Sequence, residues 1–271
     1  TACCAGHRVE IIADLGGGPN GAALGPDGHC YVCNSGGGDY YEENGQIFFI
    51  DGESSSYSGG RIERVNLQTG EAEVLYEHCD GHRLIAPNDL VFDAQGGFWF
   101  TDFGQMHARQ RDLGSVYYAR IDGSSIRESI FPVETPNGIG LSPDEKTLYV
   151  SESLTGRIFA FDLPRPGEVL LNEEWPLGRL LASLPGLRMP DSLAIEADGT
   201  LCVANFTEGG VTSISADGQR VEHLHLPDPQ TTNICFGGDN LQTAYITLSG
   251  QGQLIAVDWP RAGLPLNFLN H

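Results

Sequence analysis

The chain has 271 residues, with 36 Asp+Glu against 15 Lys+Arg and a formal net charge of −21. That excess of carboxylates argues against nucleic acid and anionic membrane surfaces as partners, because both are gripped by clustered Lys and Arg. Apolar residues make up 40%, the share of a packed domain, while 36 Gly and 15 Pro imply frequent turns and argue against a helix bundle or coiled coil.

No apolar run approaches the roughly 20 residues needed to span a bilayer. The first residues, Thr1-Ala2-Cys3-Cys4-Ala5-Gly6-His7-Arg8, lack the apolar stretch of a signal peptide, so none is expected. The cysteines number 7, an odd count without regular spacing, which predicts reduced, mostly buried thiols and a cytoplasmic location. Residues 8–13 read as an outer strand that lacks a blade of its own and is expected to complete the last blade. Cys30 and Cys33 have redox-motif spacing, but they lie in a strand, where i and i+3 point to opposite faces, so structural thiols are expected.

From residue 19 onward one grammar repeats: polar anchor, short apolar strand, Asp/Gly turn, second apolar strand. It opens with Pro19-Asn20-Gly21, Pro87-Asn88-Asp89, Pro136-Asn137-Gly138, Pro190-Asp191-Ser192 and Thr232-Asn233-Ile234. Asp-Gly and Gly-Gly turns suit tight hairpins, where positive φ is needed. Third strands follow near residues 60–65, 114–119, 156–161, 210–214 and 253–257, and a fourth usually comes next, as in 73–76 and 129–131. Four short strands per unit is the blade of a β-propeller, so the whole of 1–271 is expected to form one all-β propeller domain. The anchors are spaced by 68, 49, 54 and 42 residues. The first spacing is long because residues 35–58 form a Gly/Ser/Tyr-rich insertion, with an extra strand expected at Gln46–Ile50.

The innermost strand of a blade starts beside the central channel, so Asn20, Asn88, Asn137, Asp191 and Asn233 are expected to converge there. Taken singly, each is a strand-start cap bonding to nearby backbone. Taken together, several amide oxygens and one carboxylate suit a hard divalent cation, Ca²⁺ first, rather than zinc with its preference for His and Cys.

These segments resemble the gluconolactonase / senescence-marker-protein / luciferin-regenerating-enzyme family of six-bladed propellers. The resemblance rests on Gly81-His82-Arg83-Leu84-Ile85-Ala86-Pro87-Asn88-Asp89, Phe100-Thr101-Asp102, Thr135-Pro136-Asn137-Gly138-Ile139-Gly140, Pro190-Asp191-Ser192 and Thr231-Thr232-Asn233-Ile234. It implies a lactone hydrolase with Asn88, Asn137 and Asp191 around one divalent cation, Ca²⁺ foremost, with Mn²⁺, Mg²⁺ or Zn²⁺ as alternatives. The family's first-blade Glu-Gly-Pro motif has no counterpart, and Gly17-Gly18-Pro19-Asn20-Gly21 resembles the second-blade motif instead. The chain is therefore expected to lack the family's first blade, to close as five blades, or to draw the missing ligand from another segment.

Under this reading the cation polarises the lactone carbonyl, and Asp191 is the expected catalytic base as well as a ligand. Asn20 and Asn233 are expected to hydrogen-bond substrate hydroxyls or waters around the cation. Asp102 and Glu152 follow second strands and are either pocket residues or turn charges, and His82 is expected near the channel mouth. The expected partner is a small lactone or ester. The alternatives are ester or phosphotriester hydrolysis at the same site, as in diisopropyl fluorophosphatase and paraoxonase types, or a non-catalytic or metal-free propeller like the strictosidine-synthase group. Gly16-x-Gly18-x-x-Gly21 matches a dinucleotide fingerprint by letter only, since a strand follows it rather than a helix.

Overall fold

A computed structural model of the chain describes residues 2–5, 8–50 and 54–270. Among the described residues five larger antiparallel sheets follow one another, four of them four-stranded and the last three-stranded, in the arrangement of a five-blade β-propeller, with three two-stranded hairpins besides. Blade 1 comprises Pro19–Leu24, Cys30–Asn34, Arg61–Val65 and Ala72–Tyr76. Blade 2 comprises Pro87–Phe92, Gly97–Asp102, Gly114–Arg120 and Ile126–Val133. Blade 3 comprises Pro136–Leu141, Thr147–Glu152, Arg157–Asp162 and Arg179–Ser183. Blade 4 comprises Met189–Ile195, Leu201–Phe206, Val211–Ile214 and Val221–Leu224. Blade 5 comprises Thr231–Gly237, Thr243–Leu248 and Gln253–Asp258. The innermost strands pack against one another in chain order, from blade 1 to blade 5.

Alternation within the strands builds the core between blades. Tyr31 and Cys33 face blade 2, where they join Phe92, Phe98 and Phe100. Their neighbours Cys30 and Val32 face the other way, against Ala13 and Ile12. This is the opposite-face geometry expected of Cys30 and Cys33. Trp99, Val116, Leu148 and Val150 fill the gap between blades 2 and 3. Side chains such as Trp99, Phe98 and Leu148, all 0% exposed, each contribute roughly 1.5–3 kcal/mol by burial.

Arg8–Ile11 does not complete the last blade. It pairs with Ala2–Ala5 as a separate hairpin, and blade 5 keeps three strands. Pairing with the adjacent segment closes a much smaller loop, and so costs less chain entropy, than reaching a strand more than 200 residues away. The side chains of Cys3 and Cys4 lie outside the described residues. Of the cysteines described, all are free, with Cys30, Cys33, Cys79 and Cys202 buried and Cys235 exposed.

Two further segments tie the ring together. The insertion in blade 1 forms a hairpin, Asp39–Glu43 with Gln46–Ile50, which includes the expected extra strand. Residues 51–53 of that insertion lie outside the described residues. The hairpin spans the seam between blades 1 and 5: the Ile47 amide donates to Gly250 O at 2.8 Å, and Gln230 Nε2 donates to Ile47 O at 2.9 Å. At the other end of the channel, residues 259–270 run beneath the blades. Leu264 N donates to Ile195 O at 2.8 Å, and Asn267 Nδ2 donates to Phe92 O at 3.1 Å and to Glu145 Oε1 at 2.6 Å. The Glu196 carboxylate, 0% exposed, anchors this segment by accepting from Trp259 Nε1 at 2.7 Å and from Arg261 Nη2 at 2.9 Å.

Candidate functional site

The anchors reach the channel through a repeated irregularity. In blades 1 to 4 the ladder between the first and second strands slips just after the leading Pro, between Pro19/Ala22, Pro87/Leu90, Pro136/Ile139 and Pro190/Leu193. A bulge re-aims side chains that a regular strand would place alternately on the two blade faces. It frees Asn88 and Asp89 together, Asn137, and Asp191 with Ser192. In blade 5 the slip falls between Thr231 and Asn233, so Asn233 pairs directly with Thr247.

Small residues and hydroxyls set how closely these anchors approach. A Cβ on Gly21 would stand 2.6 Å from Asn88 O and 2.7 Å from Asp89 Oδ1, and one on Gly138 would stand 2.5 Å from Asp191 O. Only glycine permits such contacts between neighbouring blades. Thr101 Oγ1 in blade 2 donates to Asn137 O in blade 3 at 2.6 Å. Ser151 Oγ in blade 3 donates to Asp191 O in blade 4 at 2.8 Å, and Ser153 Oγ donates to Pro190 O at 2.7 Å. The second strand of one blade thus holds the anchor backbone of the next.

The side chains left facing the channel are rich in acceptors and poor in donors. Asn137 Nδ2 donates to Ser153 Oγ at 3.0 Å, yet Asn137 Oδ1 and Asn88 Oδ1 are buried with no hydrogen-bond partner. Orphaned buried acceptors are costly and need an explanation. Asp191 sits beside them, hydrogen-bonded by Asn137 and by the Ser192 amide at 2.9 Å. Burial, reinforced by the charge of Asp89, pushes the Asp191 carboxyl up to about 7. Asp89 is itself pushed up to about 6 by burial, and its bonds to Ser192, Leu90 and Ile139 offset that only partly. Two buried amide oxygens and two carboxyls, with no cationic side chain acting on those carboxyls among the described residues, form a donor set that fits a hard divalent cation. Among the described residues no three His, Cys, Asp or Glu side chains converge as a metal-binding group, so a cation here would depend on the amide oxygens of Asn88 and Asn137 beside the carboxyls.

The remaining candidates stand apart from this cluster. Asn20 is exposed at the start of blade 1, next to the Gly21 that packs on Asn88. Asn233 is half-buried and lines the same cavity as Asp89. His82 is exposed on the short hairpin linking blades 1 and 2. Asp102 is 3% exposed, and its carboxylate accepts from the amides of Ile85 and Ala86 at 2.7 Å each and of Gly104 at 3.1 Å. Its visible work is to fix the loop that delivers Pro87 and Asn88. Glu152 does the same in blade 3, accepting from the Glu134 amide at 3.2 Å and from Thr155 Oγ1 at 2.7 Å. Asp89 was missed by sequence reasoning. Its signal is the contrast at one register position, where Gly21, Gly138, Ser192 and Ile234 stand in the other blades and blade 2 alone carries a carboxylate.

Residues 7–250 match the model of the SMP-30/gluconolactonase/LRE-like region. The chain belongs to this family. It is 31% identical over 213 residues to the lactonase drp35 of Staphylococcus saprophyticus, covering 77% of this chain and 57% of that protein. Its match to the lactonase drp35 of Staphylococcus aureus is 30% identical over 205 residues, covering 74% and 54%. This family member thus spans little more than half the length of those curated relatives. Among solved structures it resembles a gluconolactonase of Xanthomonas campestris, with a TM-score of 0.70 and 27% identity over 93% of this chain and 75% of that one. It shares the fold of an Agrobacterium tumefaciens regucalcin described as a calcium-binding protein, with a TM-score of 0.65, 17% identity and coverage of 96% and 97%.

Proposed function

We propose that this propeller, acting as one domain, is a metal-dependent hydrolase of small lactones. The observation that carries the reading is the pair of buried, unpartnered oxygens, Asn88 Oδ1 and Asn137 Oδ1, flanking a carboxyl without a counter-charge. Family membership and the likeness to lactonases and gluconolactonases support the reaction class. Ca²⁺ is the ion we favour, held by Asn88, Asn137 and Asp191, because all the donors are hard oxygens. Four buried free thiols support a reducing, cytoplasmic setting.

A bound divalent cation would supply Lewis-acid polarisation of the lactone carbonyl and stabilise the developing oxyanion. The protein's own groups do the rest. Asn88 and Asn137 orient their amide oxygens, the latter fixed by Ser153. Asp191 takes the proton of the attacking water, and Asp89 beside it keeps a second carboxyl available to share that proton. The tied loops of Asp102 and Glu152 hold the anchors still.

The test is a pH-stat assay on a panel of simple lactones, with a phosphotriester in parallel, in millimolar Ca²⁺ or Mn²⁺ and again in EDTA. Acid release from lactones that requires the metal is the expected result. A metal that raises Tm without any turnover would identify a binding propeller instead, and turnover confined to the phosphotriester would reassign the substrate.

A further inference from the structure

Below the anchors the channel widens into a cavity of about 320 Å³. Ala22, Ile139, Leu193, Cys235 and Leu266 are among its walls, and its polar groups are Asp89 and Asn233 together with Ser142, Glu145 and Asn267, the last two hydrogen-bonded to each other beside the carboxyl-terminal segment. The floor is the carboxyl-terminal segment, held in place by the Leu264–Ile195 and Asn267–Phe92 hydrogen bonds. On the seam side the lining is small, with exposed Ala22 in blade 1 and exposed Cys235 in blade 5.

We propose that this cavity binds an alkyl side chain of the substrate, so that the preferred lactones are alkyl-substituted rather than polyhydroxylated. The inference rests on the lactonase reading for its head group and on the cavity for its tail. The size lies within the range of small-molecule sites, about 300–1,000 Å³. An apolar cavity of about 150 Å³ already takes up benzene. A sugar chain placed against Ile139, Leu193 and Leu266 would leave hydroxyls unpartnered, at roughly 1–3 kcal/mol each. An alkyl chain against these three side chains gives up no hydrogen bond, Glu145 and Asn267 already being bonded to each other, and can leave its carbonyl end beside Asp89.

The experiment measures binding without turnover. δ-Valerolactone, δ-octalactone and δ-decalactone are titrated calorimetrically into the full chain in EDTA, and N-ethylmaleimide labelling of Cys235 is followed by mass spectrometry. Affinity is expected to rise about fourfold per added methylene until the cavity is full, and δ-decalactone is expected to slow Cys235 labelling where δ-valerolactone does not. Ala22→Trp, at an exposed position, is expected to fill the space and abolish the chain-length dependence. Asp191→Asn is expected to keep it. Equal affinity across the series with unprotected Cys235 would overturn the proposal, even if δ-valerolactone is hydrolysed. Chain-length dependence without any metal-dependent hydrolysis would support the cavity while overturning the reaction assigned to it.

Discussion

Asp191→Asn should abolish metal-dependent turnover and, without metal above pH 7, make the protein more stable than wild type. The carboxyl of Asp191 is raised from 3.8 to about 7, first by burial and then by the charge of Asp89. A carboxyl with a higher pKa in the folded chain holds its proton longer there than in the unfolded chain. Below pH 4 both states are protonated and the group is neutral to stability. As pH rises from about 4 to about 7 the unfolded chain ionises first, and stability falls. Above that range the folded chain carries a partly buried charge without a cation, at a cost of about 2–4 kcal/mol. Asparagine keeps the shape and removes the charge, so metal-free Tm at pH 8 should rise by several degrees, with no change at pH 4. Saturating Ca²⁺ should reverse the order at pH 8, because only the wild type gains binding energy from the ion. Equal melting of the two proteins at pH 8 in EDTA would show that Asp191 is not held in the state described.

Arg261→Met should destabilise the protein more than Glu196→Gln does. Glu196 is fully buried and accepts from Trp259, Arg261 and the Cys202 thiol, the last at 3.1 Å. Removing Arg261 strands that charge under the carboxyl-terminal segment. Complete loss of such a partner costs roughly 3–5 kcal/mol, and partial exposure of Arg261 lowers the expectation to about 2–4 kcal/mol. Glu196→Gln leaves an amide oxygen for Trp259 and a guanidinium that can turn to water, at about 1–2 kcal/mol. Urea denaturation of both variants measures the asymmetry. Equal losses would mean that the ion pair matters only as packing.

The blades were legible because their signals are local. An Asp-Gly turn between two apolar runs specifies a hairpin by itself, and the strands at Cys30–Asn34, Gly97–Asp102 and Leu201–Phe206 stand where the alternation puts them. The pairing of Arg8–Ile11 was not legible, because a short strand does not encode its partner. Asn88, Asn137 and Asp191 stood out as anchors, but the bulges that expose them depend on register between strands, which periodicity does not reveal. Asp89 was hidden for that reason: in a regular strand it would point away from its neighbour Asn88. Asp102 and Glu152 read as pocket or turn charges from their position after a strand, and only the backbone amides around them show which loops they fix.

The proposed hydrolysis requires one ion held by oxygens from three blades. A crystal of the full chain soaked in Ca²⁺ tests it directly. The expected map shows a single ion about 2.3–2.6 Å from Asn88 Oδ1, Asn137 Oδ1 and a carboxylate oxygen of Asp191. An empty channel at millimolar Ca²⁺, or an ion held elsewhere with both amide oxygens still unpartnered, would contradict it.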